Sequence, residues 1–412
     1  MNIIKVNAVA TSELQNPEIF SIPIPEGSPF LVDRDSGKII EPVLHFTLAS
    51  QSMNTSNARC EDLKDWFTYL DEFEIEWLDA GEDELAQYQT IMQQTISVRH
   101  ESYSIKTIRR RTATIVAFYR YWEGKGLYKG SVERQAKSGF YRAIDSNPLA
   151  HLGNSRQTRS SAYDSIGSNS DGPVKAMTPR VWQGVSRKLG NMQNTHRLIW
   201  EVALQTGMRI HEVLNLTKYE IQGLVSDPDA PAVLQPLVIL GKGNVKRKAF
   251  FPNWLIAELN EYVRLLRSRA VKRKGGREPA ALFLNTENPA HRGNPITQRT
   301  ALRHFNAAVR AAGYVVIVEK TDPETGEIYY IQQAKYSGHS TRHSFAIWTY
   351  YARKSSGDSE PWKYIQSRLG HKHLQTTLDT YLRAADDFEA EVSNRILVDF
   401  REIVSGDFEN GE

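Results

Sequence analysis

A mainly α-helical fold with a small antiparallel β-sheet, built as a helical domain followed by a larger mixed α/β domain, is what the sequence predicts. Three observations predict it. Apolar residues recur at spacings of three and four from about Thr55 to Asn147 and again from Thr178 onward. The β signals are confined to short paired runs around glycine-bearing turns. A stretch rich in Ser, Asn, Gly and Gln, residues 150–176, separates the two helical regions and reads as a linker that buries too little surface to fold alone. At 412 residues the chain also exceeds what one compact core ordinarily organises.

Composition narrows the function classes. No apolar run approaches the roughly 20 residues that cross a bilayer, and the N-terminus does not read as a secretion signal, so the expected location is the cytoplasm, with the nucleoid. Cys60 is the only cysteine, which excludes an intramolecular disulfide and a thiolate metal cluster. Net charge is +3, yet it is segregated. Residues 61–90 carry 11 acids against Lys64 alone, and residues 91–150 carry 11 Lys and Arg against four acids. That asymmetry suits a protein with one face toward a polyanion, although two solvated helix faces would look the same.

Residues 1–54 are Pro-rich with short β-prone runs, and Asp35-Ser36-Gly37 reads as the turn of a hairpin. This segment is not basic, so a packing or protein-contact role is expected. Leu63, Trp66, Phe67, Leu70 and Phe73 mark a first helix, a second spans Leu85 to Gln94, and a third runs from about Ser104 to Gly124. The third carries Lys106, Arg109, Arg110, Arg111 and Arg120, a cluster suited to a duplex backbone, and residues 55–149 are read as a helical DNA-binding domain. Asn147-Pro148 closes it.

Residues 177–405 form the second domain, with a tail at 406–412. Thr178 caps a helix with Pro179 in its first turn, and Gly207 breaks the chain between two helices, leaving Arg209 at the start of the next with Glu212 on its face. The runs 232–240 and 249–251 flank Gly241-Lys242-Gly243 and the basic residues Lys246, Arg247 and Lys248, a hairpin whose glycines let Lys242 approach a phosphate. The Gly-Lys-Gly spacing is not that of a P-loop, so no nucleotide cofactor is expected. A basic helix runs from Trp254 to Arg273, another from Thr297 to Gly313, and residues 315–335 form a hairpin about Asp322–Gly326. His339, Arg342 and His343 fall on one helical face, a helix from Pro361 stops at Gly370 before His371, and Tyr381 follows ten residues later.

Thr206-Gly-Met-Arg209-Ile-His-Glu212, the Gly241-Lys242-Gly243 hairpin, His339-Ser-Thr-Arg342-His343, and Leu369-Gly-His371 with Thr376-Thr377 and Tyr381 stand in an order that resembles the tyrosine recombinases, or phage-type integrases. The resemblance covers roughly residues 177–384, and the helical region before it is similar to the family's core-binding domain. It implies that Arg209 and Arg342 fork onto the scissile phosphate. Tyr381 would attack phosphorus to give a 3′-phosphotyrosyl link, conserving the bond without ATP. Lys242 would protonate the departing 5′-oxygen, His339 would assist proton transfer from the tyrosine, and His371 would donate to the phosphate. Glu212 and His343 would hold the cationic groups in place. Lys246 and Lys248 join the residues expected to bind DNA. Metal ions and other cofactors are unnecessary, because two arginines, a lysine and two histidines supply the positive field.

Expected partners are duplex DNA with specific sites, three further protomers of a homotetramer, and accessory recombination proteins. Thr341 stands where the family usually has leucine, and the hairpin before His339 and the segment Arg353–Glu360 lengthen the usual spacing. Beyond Tyr381, Phe388, Val392, Ile396 and Phe400 form a stripe that packs either on its own domain or on a neighbouring protomer. The reading is a site-specific recombinase with a Holliday-junction intermediate. Its alternatives are a type IB topoisomerase and a DNA-binding regulator that keeps the fold without the chemistry.

Overall fold

The computed structural model describes residues 2–8, 24–97, 101–132, 174–241, 246–274, 277–382, 385 and 388. Lys242, nearly all of the linker, and Val392, Ile396 and Phe400 of the C-terminal stripe lie outside the described residues. The chain divides into two compact units. One comprises Met1–Ser170 with Glu319–Tyr329, the other Asp171–Val318 with Tyr330–Glu412.

The first unit begins with β1 (Ile3–Asn7) paired antiparallel with β2 (Pro29–Asp33). The turn expected at Asp35–Gly37 is present: Gly37 takes φ +70° and its amide donates to the Asp33 carbonyl. It leads into a single bridge, Val32 to Ile39, two residues before the chain turns helical at Glu41. Residues 41–48 depart from the β reading and form α1 (Glu41–Leu48), with proline in the first turn where its missing amide costs nothing. The three expected helices come next as α2 (Met53–Glu72), α3 (Glu82–Gln94) and α4 (Ile105–Gly124). Ser52 and Ser104 cap α2 and α4 by accepting from the Thr55 and Thr107 amides. Ile3, Leu31, Val43, Phe46, Trp66 and Phe118 share one core. The N-terminal strands and α1 therefore pack with the helices instead of standing apart.

The second unit opens with α5 (Pro179–Met192), capped by Thr178, and α6 (Asn194–Thr206), followed by the short helices α7 (Ile210–Leu214) and α8 (Lys218–Gln222). β3 (Leu234–Leu240) pairs antiparallel with β4 (Lys246–Pro252), from Leu234 opposite Pro252 to Leu240 opposite Lys246. The long basic helix is α9 (Asn253–Tyr262) and α10 (Ser268–Lys274), joined through a π turn at Val263–Arg267. α11 (Gln298–Ala311), capped by Thr297, leads to the hairpin β5 (Val315–Thr321) and β6 (Ile328–Ala334), whose outer part, Glu319–Tyr329, is counted with the first unit, then α12 (Gly338–Ser355) and α13 (Pro361–Leu369). Residues 374–382 are helical. Trp200, Phe251, Phe283 and Phe305 anchor the core around α6, and Ile347, Ile365 and Leu369 join Tyr381 in a smaller cluster beside it. Among the described residues no helix is long and apolar enough to cross a membrane. The predicted fold class, mainly α with small antiparallel sheets, is the one observed.

Candidate active site

Two left-handed glycines shape the site. Gly207 (φ +66°) ends α6, and a β-carbon there would lie 2.5 Å from the Phe345 ring, so the chain turns tightly against α12 and delivers Arg209 to the start of α7. Glu212 sits three residues into that helix and accepts the Arg209 amide at 2.8 Å, closing the first turn. Gly370 (φ +68°) ends α13 and delivers His371, whose amide donates back to the Gln366 carbonyl. Both glycine stops are where the sequence placed them.

Arg342 ties these turns together. It is 5% exposed; Nη1 donates to the Gly207 carbonyl at 2.5 Å, and Nη2 donates to the Leu369 carbonyl at 2.6 Å and lies 3.4 Å from His371 Nε2. The same guanidinium has its pKa lowered to about 10, chiefly by burial and then by Arg209. Tyr381 is 1% exposed, and its hydroxyl lies 3.2 Å from His343 Nδ1. Burial raises the phenol above its ordinary value, against the opposing charges of Arg342 and Arg209. The His371 ring lies parallel to that of Tyr381, with its Nδ1 2.9 Å from the Thr377 hydroxyl. Four separated segments thus meet: Arg209 with Glu212, Arg342 with His343, His371, and Tyr381.

The predicted residues divide. Arg209, Glu212, Arg342, His343, His371 and Tyr381 form one cluster, and His339, one turn before His343 on α12, is exposed with its ring centre 6.4 Å from that of His343. His343, read from sequence as a supporting residue, makes the contact with the phenol. Lys242 is outside the described residues, whereas Lys246 and Lys248 are exposed on β4. In the first unit, Arg110 is paired with buried Asp62, and Arg111 with Asp65, 2.5 Å away, under the Tyr103 ring. Those two guanidinium groups also tie α4 to α2, and the Arg110 side chain is half exposed; Lys106 and Arg120 are exposed, and Arg109 is half-buried.

Sequence reading overlooked Arg247. Its Nη2 donates to Glu212 Oε2 at 2.5 Å and its Nη1 to the Arg368 carbonyl at 2.8 Å. In sequence it was one of three cations in a basic run, and only its position in β4, facing opposite to Lys246 and Lys248, sets it apart.

The electrostatics show a site assembled against its own charge. Burial comes first in holding the His343 and His371 pKa values down to about 4; His339 and Arg342 then act on His343, and Arg342 and Arg209 on His371. His339 is lowered by the same combination of burial and neighbouring cations. His196, stacked on His304 in the core, is lowered to about 3, mostly by burial. With folded pKa values below the unfolded value of about 6.5, the folded state holds fewer protons than the unfolded state between roughly pH 4 and 6.5. Stability should therefore be full above that window and fall as pH drops through it. Thermal melts that stay flat from pH 7 to 4.5 would contradict these shifts. A phosphate within about 4 Å is worth about 4 kcal/mol at an effective dielectric of 20, enough to return either imidazole to the ordinary histidine range.

Residues 184–387 match the phage integrase family. The chain is 24% identical over 339 residues to tyrosine recombinase XerC of Herpetosiphon aurantiacus, covering 81% of this chain and 86% of that protein. Among solved structures, the XerH site-specific recombinase bound to palindromic difH substrate in a post-cleavage complex superposes with a TM-score of 0.51 at 17% identity, over 83% of this chain and 80% of that one. The Tn1549 transposon integrase in complex with transposon right end DNA gives 0.50 at 14% identity, over 86% and 98%. The structural likenesses speak for the fold. The family match carries the assignment: through residues 184–387 the chain belongs to the phage integrase family of tyrosine recombinases, enzymes that break and rejoin DNA.

Proposed function

We propose that this chain is a site-specific recombinase of integrase or transposase type, acting on duplex DNA as a homotetramer through a Holliday junction. The observation that carries the reading is the convergence on one phenol: the Arg342 guanidinium, with His371 beside it, influences the Tyr381 hydroxyl that His343 contacts, and Arg209 adds its charge. Arg209 and Arg342 hold the non-bridging oxygens of the scissile phosphate, where planar donors meet charge that grows in the transition state. The Tyr381 oxygen bonds to phosphorus as the 5′-oxygen leaves. The phenol proton passes to a histidine, His339 or, in the arrangement observed, His343, and Lys242 donates a proton to the leaving oxygen. His371 donates to the phosphate. The 3′-phosphotyrosyl bond keeps the energy of the phosphodiester, so a second 5′-hydroxyl can reverse the step on a new strand.

Nicked duplexes tiled across the DNA bordering the gene provide the test. The wild type is expected to form a covalent adduct that Tyr381→Phe loses completely. No adduct on any duplex would favour a DNA-binding regulator. Relaxation of supercoils without strand exchange would favour a type IB topoisomerase.

A further inference from the structure

Glu212 is buried, with its side chain 1% exposed, and two arginines compete for it on unequal terms. Arg247, 8% exposed, holds Oε2 at 2.5 Å, whereas Arg209, 27% exposed, reaches Oε1 at only 3.4 Å. Oε2 also accepts the Arg209 backbone amide, which anchors that residue's main chain while its guanidinium stays loosely held. Arg247's other nitrogen donates to the Arg368 carbonyl, three residues before His371. A β-carbon on Gly370 would lie 2.7 Å from Arg247 Cδ, so the Arg247 stem fills the space that glycine leaves. One side chain from β4 thus braces the turn that presents Arg209 and the turn that presents His371.

We propose that Arg247 is a positioning residue: by neutralising Glu212 it keeps the Arg209 guanidinium available for an incoming phosphate oxygen, and by holding the Arg368 carbonyl it fixes the turn before His371. The inference rests on the recombinase reading only in taking the ligand to be a phosphodiester. Without Arg247, the buried carboxylate faces Arg209 on its own turn and Arg342 on α12. Arg209 is the closer and more exposed, and closing its 3.4 Å contact into a bidentate pair takes it away from the ligand. Burial raises the Glu212 carboxyl, and Arg247's charge, with the Arg209 amide, overcomes that and holds it below its ordinary value. Loss of Arg247 removes the largest of the charges that hold the carboxyl down, so Glu212 titrates higher in Arg247→Met than in wild type.

The experiment titrates inorganic sulfate, whose charge is constant over the range used, into the full chain by calorimetry, beside thermal melts of each variant. Arg247→Met is expected to weaken sulfate binding about tenfold or more, the worth of one charge-assisted hydrogen bond. Arg247→Met with Glu212→Gln removes the stranded charge and is expected to recover most of the affinity. The deficit of Arg247→Met relative to wild type should shrink as pH falls, because Glu212 without Arg247 protonates before it does in wild type and then releases Arg209. A merely structural defect would deepen in acid, where the fold is weaker. Arg247→Lys, which keeps the charge but reaches one acceptor only, should lie between wild type and Arg247→Met. If Arg247→Met binds sulfate like wild type, or if the double variant binds no better than Arg247→Met while melting as a folded protein, the proposal is overturned. Should Arg247→Met not fold, Arg247→Lys decides: a folded Arg247→Lys that binds sulfate like wild type overturns the proposal. Adduct formation is scored separately: wild type without adducts counts against the recombinase reading and leaves the sulfate result to judge Arg247.

Discussion

Arg342→Ala is expected to reduce adduct formation by about a thousandfold or more, and to weaken the fold as well. Removing one preorganised donor from a developing anion costs about 10²–10³ in rate. Arg342 is also the residue whose charge opposes the burial that raises Tyr381 and whose nitrogen lies beside His371, so its loss disturbs two other groups of the proposed site. The structural cost comes from its hydrogen bonds. The Gly207 and Leu369 carbonyls lose a buried donor, at about 1–3 kcal/mol for each group left unsatisfied. Arg342→Lys has one nitrogen for two carbonyls and should recover part of the stability and little of the rate. Time courses on nicked duplexes, with melting curves, check both expectations. A variant that cleaves within about tenfold of wild type would remove Arg342 from the assigned chemistry.

Gly207→Ala should cost about 2–5 kcal/mol. A left-handed L-residue costs about 1–2 kcal/mol, and the β-carbon 2.5 Å from Phe345 adds about 1–3 kcal/mol of overpacking. Gly313→Ala is the matched control. It has the same sign of φ, +82°, and open space around the added atom, so only the backbone cost applies. If the two variants melt together, the contact with Phe345 does not hold the turn. Because that turn sets the direction of Arg209, Gly207→Ala should lose adduct formation beyond its loss of stability.

Most of the site was legible because its groups announce themselves locally. Glycine stops at 207 and 370, a proline after Thr178, and the spacing of His339, Arg342 and His343 fix where side chains leave the backbone. Partnership was not legible. Arg247 and Arg110 look like their neighbours in the sequence, and only the fold reveals that the first is spent on Glu212 and the second on Asp62. Likewise Ile3–Asn7 lacks strict alternation, since β1 packs one face partly against helices, and its pairing with β2 spans more than twenty residues. The helix at Glu41–Leu48 did carry a local signal, Pro42, outweighed by the β-prone runs before it.

The end of α13 also acts electrically. The carbonyls of Arg368 and Leu369 form the negative pole of a nine-residue helix, and Arg247 and Arg342 are both docked on it. A helix dipole thus does for these arginines what a phosphate would otherwise have to do first. It offsets part of their mutual repulsion, so the two guanidinium groups stay together before any anion enters, while the histidines gain their charge only with the anion. Such a pole cannot leave with the product. After strand release the site would return to the same charged geometry without rearranging, ready to run the reaction in either direction.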